Sequence, residues 1–413
     1  MEREATSNSK YYRILSLDGG GSWAIIQARA LYDIYKKEFG EDVTGHQVLR
    51  KFDYAGANSG GSIVLAALVL DWPLKKIIEF FDTESKREEI FVGLGLFQKT
   101  FLENLLRIVG IGPKYSTAKK RAGFEKNFGI SGNSLLENIY SDNIKIGPFP
   151  DLLITSFDYY RKRAFFCRSD DKSNTIAGQH NSVSLIDAVH AASNAPVNYF
   201  NKPAEILFGK QKKKAWDGAV GGNNNPVLAI FTEVISNIQR YNPKNLPIAI
   251  LSIGTSSDFL PIKGQTPYNS TYSPELIIDP YKPVITKDIK TLATSILQDP
   301  PDTASYIVYK MLQYMGKNEG ENLVRLNPMI QPELKVNPNT NAKEWYLPGA
   351  DPATGKSNFI TMDQFKALSA LDMDAVKQSE VDLINLLCQG WLNSIVLNQP
   401  IQTDSSLNCL VIY

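Results

Sequence analysis

The stretch Lys51 to Val64, KFDYAGANSGGSIV, constrains this chain more than any other. Phe52 to Ala55 is an aromatic-rich run that suits a short buried strand, and Ser62 to Leu70 reads as an apolar helix. Between them lies Ala57-Asn58-Ser59-Gly60-Gly61. A serine on a tight strand-to-helix turn, with small residues two places before and after it, describes a nucleophile elbow. The small neighbours let the backbone turn sharply and hold the hydroxyl at the helix N-terminus. Free N–H groups and the positive dipole end favour negative charge there. Ser59 is therefore the candidate nucleophile. Ala57 stands where the strict pattern expects glycine, and the frame Gly56 to Gly60 would centre Asn58, whose amide cannot attack. Ser62 falls inside the helix, where a solvated or back-bonded hydroxyl is expected. A turn of this kind is often only a turn, so the reading needs partners elsewhere.

A second strand-turn-helix unit precedes it. Tyr11 to Leu17 (YYRILSL) reads as a buried strand, Asp18-Gly19-Gly20-Gly21 breaks it, and Ser22 to Phe39 reads as a helix. Strand, glycine turn and helix open an α/β unit. A dinucleotide fingerprint is met only loosely by Gly19, Gly21 and Ala24, with no acidic strand end about 20 residues on. A P-loop would need Gly-Lys-Ser/Thr, which is absent. The remaining functional reading is an oxyanion hole of unhindered N–H groups, against a plain tight βα turn.

The chain's 413 residues can bury a large core as one big domain or two. Its hydrophobic fraction of 43% and charged fraction of 21% are those of an ordinary globular protein, and a net charge of +1 gives no global attraction to nucleic acid. The start, MEREATSNSK, is polar and unlike a secretory signal, and no apolar run reaches the ~18 residues needed to cross a bilayer. Cys167, Cys388 and Cys409 form no metal-spacing motif and suggest a reducing compartment; Cys409 is wrongly placed for prenylation. The expected location is cytoplasmic.

Further along, Pro73 to Thr83 reads as an amphipathic helix. Residues 91–112 are strongly apolar and are followed by Lys114, Lys119, Lys120, Arg121 and Lys126. They read either as a core helix with a solvated basic loop or as a cap touching lipid, its lysines facing anionic headgroups. Strands are expected over Asp151 to Phe157, Ala164 to Cys167 and Pro247 to Ile253, and a helix over Leu185 to Ala192. Pro203 to Phe208 and Lys214 to Trp216 flank a basic turn, Lys210 to Lys214, which suits a hairpin; it reads as a solvated loop or a headgroup contact. A helix over Val227 to Gln239 follows. From Asp258 to about Tyr281 the chain reads as loop, then as helices over Thr286 to Gln298 and Thr303 to Met315, separated by Pro300-Pro301. Asn322 to Leu326 reads as a strand, 333–359 as loop, and 361–397 as one or two helices.

A nucleophilic serine needs a base. His46, His180 and His190 read as surface or packed histidines. Asp217 is the better candidate, because it follows a short strand, precedes Gly218, and could sit at the sheet edge where the crevice of an open α/β fold lies. A β-turn aspartate is the plain alternative. Desolvation in a dry cleft would raise its pKa and make it a workable base.

In order along residues 11–256 stand Asp18-Gly19-Gly20-Gly21, Asn58-Ser59-Gly60-Gly61, Ala191-Ala192-Ser193-Asn194-Ala195-Pro196 with Phe200, Asp217-Gly218-Ala219 with Asn224-Asn225-Pro226, and Ser252-Ile253-Gly254-Thr255. Together they resemble the patatin-like phospholipases, relatives of cytosolic phospholipase A2. The resemblance implies a three-layer α/β/α sandwich around a mainly parallel sheet. It implies a lipid acyl hydrolase of the phospholipase A type, cleaving glycerolipid esters through an acyl-serine intermediate. By motif match Ser59 would be the nucleophile and Asp217 the base, with Gly19, Gly20, Gly21 and Gly60 as the oxyanion hole. No metal or cofactor is implied. Where the family commonly continues its glycine run with Arg-Gly, this chain has Ser22-Trp23-Ala24, so that arginine's charge is missing there.

The expected organisation is a flexible start over 1–10 and a catalytic domain over 11–315, with a cap segment at about 91–126. A helical C-terminal extension, 316–413, would pack on the same domain. The expected partners are a phospholipid or other glycerolipid and, transiently, a membrane surface, with no nucleic acid. The competing reading is a weak or inactive lipid- or acyl-binding module on the same fold.

Overall fold

The strands at the centre of the molecule are apolar at nearly every position because both faces of the sheet are covered. In the computed structural model Leu15 and Leu17 join one buried cluster while Tyr12 and Ile14 join another, as the two-residue repeat of a strand requires. The structure describes residues 10–94, 113–169, 182–196, 199–258, 302–315, 322–330, 333–336, 340–346, 362–392, 402–404 and 409–411. The expected flexible N-terminus through residue 9, most of the apolar segment 91–112, and the expected loop and helix between 259 and 298 lie outside them.

From the N-terminus, β1 (Tyr12–Leu17) passes through a 3-10 turn (Gly21–Ala24) into α1 (Ile25–Phe39). After α2 (Gly45–Leu49), β2 (Tyr54–Ala57) runs straight into α3 (Ser59–Val69). Next come α4 (Leu74–Asp82), α5 (Glu84–Ile90), α6 (Thr117–Phe128) and α7 (Leu136–Asn143), then β3 (Asp151–Asp158), β4 (Arg163–Arg168) and α8 (Leu185–Ala192). The hairpin β5 (Ala204–Phe208) and β6 (Gln211–Asp217) precedes α9 (Val227–Ser236), α10 (Ile238–Tyr241) and β7 (Ile248–Ile253). The short β8 (Ser257–Asp258), a helix α11 over residues 302–314 and β9 (Leu323–Leu326) follow. After β10 (Met329–Ile330), β11 (Glu333–Val336) and β12 (Lys343–Tyr346) come α12 (Met362–Ser369) and α13 (Gln378–Leu392), then β13 (Gln402–Asp404) and β14 (Cys409–Val411).

Eight strands form the main sheet along the path β5-β6-β3-β2-β1-β7-β9, with β4 also paired to β3. The run β3-β2-β1-β7-β9 is parallel throughout, while β4 and β6 are antiparallel to β3. One face is covered by α1, α3, α4, α8 and α13, the other by α9 and α11. This is the three-layer α/β/α sandwich that the resemblance implies. Val381, Ile384, Leu387 and Trp391 of α13 are buried in the same cluster as α1.

Several local expectations shift. The elbow strand runs two residues later than Phe52–Ala55, and α3 begins at Ser59 instead of Ser62. Lys212, Lys213 and Lys214 lie in β6, not in a turn; the hairpin closes tightly at Gly209, which has φ +60°. Lys213 is drawn inward by the rings of Phe165 and Phe208, 4.8 and 4.2 Å from its ammonium. Within 333–359, read as loop, β11 and β12 pair antiparallel.

Candidate active site

Ser59 is the first residue of α3 and has φ +45°. A left-handed backbone at a serine is uncommon and strained, the geometry an elbow needs. Asn58, extended at φ −129°, is the N-cap, but its side chain does not cap the helix. Instead Asn58 Nδ2 donates to Asp217 Oδ1 at 2.9 Å, and Asn58 Oδ1 accepts from Thr155 Oγ1 at 2.7 Å. The Ser62 hydroxyl donates back to the Ser59 carbonyl at 2.5 Å, the back-bonded role expected of it.

Asp217 ends β6, and the pairing of β3 explains how it reaches Ser59. One edge of β3 is taken by β4 over Leu153 to Asp158. The other edge is divided between β2, over residues 151–154, and β6, over 156–158. β2 and β6 therefore approach end to end. Ala57 faces Ile154 and Asp217 faces Ser156, two residues apart on the same strand. The antiparallel direction of β6 brings its last residue to this edge. The Ser59 side chain lies near enough to the Asp217 carboxylate to lower its pKa. Asp217 Oδ1 also accepts from the Ala219 N–H at 2.9 Å. The carboxylate is 2% exposed. Burial raises its pKa above the usual carboxylate value, opposed by the neighbouring Ala219, Ser59 and Asn58 and by the charge of Lys120.

The glycine turn packs directly against this pair. A Cβ at Gly60 would lie within 3.0 Å of the Gly21 backbone, and one at Gly61 within 3.0 Å of the Leu17 and Asp18 carbonyls. Only glycine lets α3 approach this closely. Among the described residues the N–H groups of Gly20, Gly21 and Gly60 donate to no carbonyl. Gly19 corrects the expectation: its N–H donates to the Asn224 carbonyl at 2.8 Å, and its own carbonyl accepts from Thr255 Oγ1 at 2.8 Å. It anchors the turn. The Asn224 and Thr255 motifs thus brace the glycines from outside.

Beneath the turn Asp18 meets Arg325 of β9 in a two-pronged ion pair, Nη1 to Oδ1 at 2.9 Å and Nη2 to Oδ2 at 2.5 Å, with Nη1 also donating to Ser252 Oγ at 2.9 Å. Burial pushes the Asp18 carboxyl up to about 6 against the pull of the guanidinium. Trp23 and Ala24 stand where the family commonly has Arg-Gly, and the preceding Ser22 donates its N–H to the Met373 carbonyl at 2.9 Å.

A cleft lies over Ser59, lined by Gly21, Gly60, Ile63, Ile90, Phe91, Tyr199, Phe200 and Met373. Met373 and Asp374, which also lines it, come from the segment between α12 and α13. The Trp23 indole N–H donates to the Asp372 carbonyl at 3.2 Å. Lys114 bonds Asp372 and Asp374 at 2.9 and 3.1 Å, and the Tyr115 hydroxyl bonds Asp374 at 2.5 Å. Several of the cations read either as a solvated basic loop or as headgroup contacts are instead engaged within the molecule. Lys114 holds this segment, Arg121 pairs with Asp187 and Glu125, and Lys120 is fully buried. Lys119 and Lys126 remain exposed.

Of the histidines, His190 is packed inside α8, where burial drives its pKa well down, and His46 bonds the Val69 carbonyl; His180 lies outside the described residues. Among the described residues no cluster of His, Cys, Asp or Glu could hold a metal ion. Sequence reasoning missed Asn58, Thr155, Lys120, Arg325 and Met373. Asn58 alone carried a signal, its place beside the serine; the others arrive from distant elements.

A model of the patatin-like phospholipase family matches residues 15–231. No curated protein matches the sequence. Among solved structures, VipD from Legionella pneumophila is similar over 92% of this chain and 67% of its own, at 10% identity and a TM-score of 0.35. The type III effector protein ExoU is similar over 45% of this chain and 39% of its own, at 11% identity and a TM-score of 0.24.

Proposed function

The chain belongs to the patatin-like phospholipase family, and from that premise we propose that it hydrolyses glycerolipid acyl esters through Ser59 and Asp217. Membership supports a lipid hydrolase. The observation that carries the finer reading is the convergence of Ser59, on a strained backbone, with a buried carboxylate that the adjacent Asn58 holds by a 2.9 Å hydrogen bond and whose pKa is raised.

In the proposed reaction Ser59 Oγ attacks the ester carbonyl carbon while its proton passes to Asp217. The negative charge moves to the carbonyl oxygen, where the N–H groups of Gly20, Gly21 and Gly60 receive it. Collapse breaks the carbon–oxygen ester bond, and the departing alcohol takes the proton from Asp217. Water then gives a proton to Asp217 and attacks the acyl-serine. The fatty acid leaves as Ser59 recovers its proton. The apolar walls from Ile63, Ile90, Phe91 and Phe200 suit an acyl chain. Among the described residues no helix is long and apolar enough to cross a membrane. Access to lipid is accordingly assigned to transient surface contact.

The test is mass spectrometry of lipids released from mixed liposomes, with fluorophosphonate labelling of Ser59. The parent should release fatty acid and be labelled, and S59A should do neither. Liposome binding by an unlabelled, inactive parent would favour the non-catalytic binding module. That reading draws on Trp23 in the arginine position and on the Gly19 N–H, which is already engaged.

A further inference from the structure

Lys120 lies on α6 among residues that otherwise read as a basic surface, yet it is 0% exposed. Its ammonium donates to the His190 carbonyl at 3.0 Å and to Ser193 Oγ at 3.2 Å, and sits 4.2 Å from the centre of the Phe200 ring. Phe200 and Ser193 both line the cleft over Ser59. Next in sequence, the Asn194 carbonyl accepts the Asp217 N–H at 3.1 Å. Lys120 therefore grips the corner from which the backbone of Asp217 hangs.

A buried ammonium with two neutral acceptors is expensive unless an opposite charge compensates it. Several buried and half-buried charged groups on the elements packed around Lys120 are engaged elsewhere, and Glu88 of α5 is exposed. On α8, Asp187 pairs with Arg121, and His190 is kept neutral by burial. On α5, Glu89 pairs with Lys126, and Arg87 is spent on the Phe81 and Val376 carbonyls. Burial raises Tyr199, which stays a neutral phenol. The carboxylate whose charge acts on Lys120 is Asp217.

We propose that Lys120 is a positioning residue for Asp217, supplying the buried positive charge that the glycine turn lacks. The inference rests on the dyad reading above. Before reaction the site holds one ammonium and one carboxylate. After the Ser59 proton moves to Asp217, the negative charge sits on the substrate oxygen and the ammonium is unchanged. The net charge of the buried site is thus the same at both stages, and no charge need be created in a dry cleft. Burial lowers the Lys120 pKa well below that of an ordinary lysine, and the nearby Asp217 charge opposes that fall only in part.

The test follows fluorophosphonate labelling of Ser59 against pH in the parent, K120M and K120M/D217N, alongside thermal unfolding. With K120M the carboxylate loses its cation, so the acid limb of labelling moves to higher pH and the rate on the acid side falls several-fold. An unchanged limb in a folded K120M, with the parent labelled normally, overturns the role of Lys120 and leaves the dyad standing. A parent not labelled at Ser59 overturns the dyad and this inference with it. If K120M does not fold, recovery of folding in K120M/D217N supports the charge coupling. Failure of both variants to fold makes Lys120 a structural tie only and overturns the proposal.

Discussion

Asn58 Nδ2 donates to Oδ1 of Asp217 at 2.9 Å, so the residue immediately before the proposed nucleophile aims the proposed base. Thr155 in turn fixes the Asn58 amide from the middle of β3. Asn58→Ala leaves Thr155 without this acceptor and frees the carboxylate to turn. Losing a buried hydrogen bond of this kind costs ~1–3 kcal/mol, or ~5- to 160-fold in rate. The loss should fall on kcat with KM little changed; steady-state kinetics on a soluble ester reads the split, and an unchanged kcat would remove Asn58 from this role.

The raised pKa of Asp217 sets the direction of two pH effects. As a base it must be ionised, so activity should fall on acidification at a pH above the usual carboxylate value of 3.8. Because the folded state holds this proton more tightly, the contribution of Asp217 to stability is greatest below 3.8 and is lost as pH rises through the raised value. D217N lacks that ionisation. Its melting temperature relative to the parent should climb over the same window, while activity is lost by ~10⁴-fold or more. A difference in melting temperature that stays flat with pH would contradict the buried-carboxylate account.

Gly60→Ala tests the oxyanion turn. The added methyl group would meet the Gly21 backbone within 3.0 Å, with no flexible side chain to yield. One misplaced donor costs ~10² to 10³ in kcat, and overpacking adds ~1–3 kcal/mol of destabilisation. Both should appear, in turnover and in urea unfolding. A fully active Gly60→Ala would place the oxyanion elsewhere.

The Asp18–Arg325 pair predicts non-additive stability. D18N or R325M alone leaves a buried charge without its partner and should cost ~3–5 kcal/mol. The double variant should recover most of that loss. Chemical denaturation of the four proteins measures the coupling, and additive losses would show that the pair acts as two separate residues.

The parts of this molecule that could be read in the sequence were those governed by local rules. The apolar runs of β1 and β7 declared buried strands, and the helix expected over Leu185 to Ala192 is α8, which the structure shows capped by Ser184. Ser59 and Asp217 were each marked by their own turn. Lys213 misled because lysine beside lysine suggests solvent, whereas its ammonium packs on Phe208 across the hairpin and on Phe165 of β4, which its own window does not contain. Lys120 was misread for the same reason. Its acceptors are 70 and 73 residues away. Arg325 is 307 residues from Asp18 and carries no motif of its own.

The edge that β2 and β6 share gives β3 a role as a ruler. It contributes neither proposed reacting group, yet the separation of those groups is counted out along its backbone between Ile154 and Ser156. Surrounding loops can lengthen or drift without altering that count. A single residue inserted at Thr155 would stretch the gap by one step of ~3.3 Å and turn the following side chains to the opposite face, parting hydroxyl from carboxylate while leaving every residue of the pair in place.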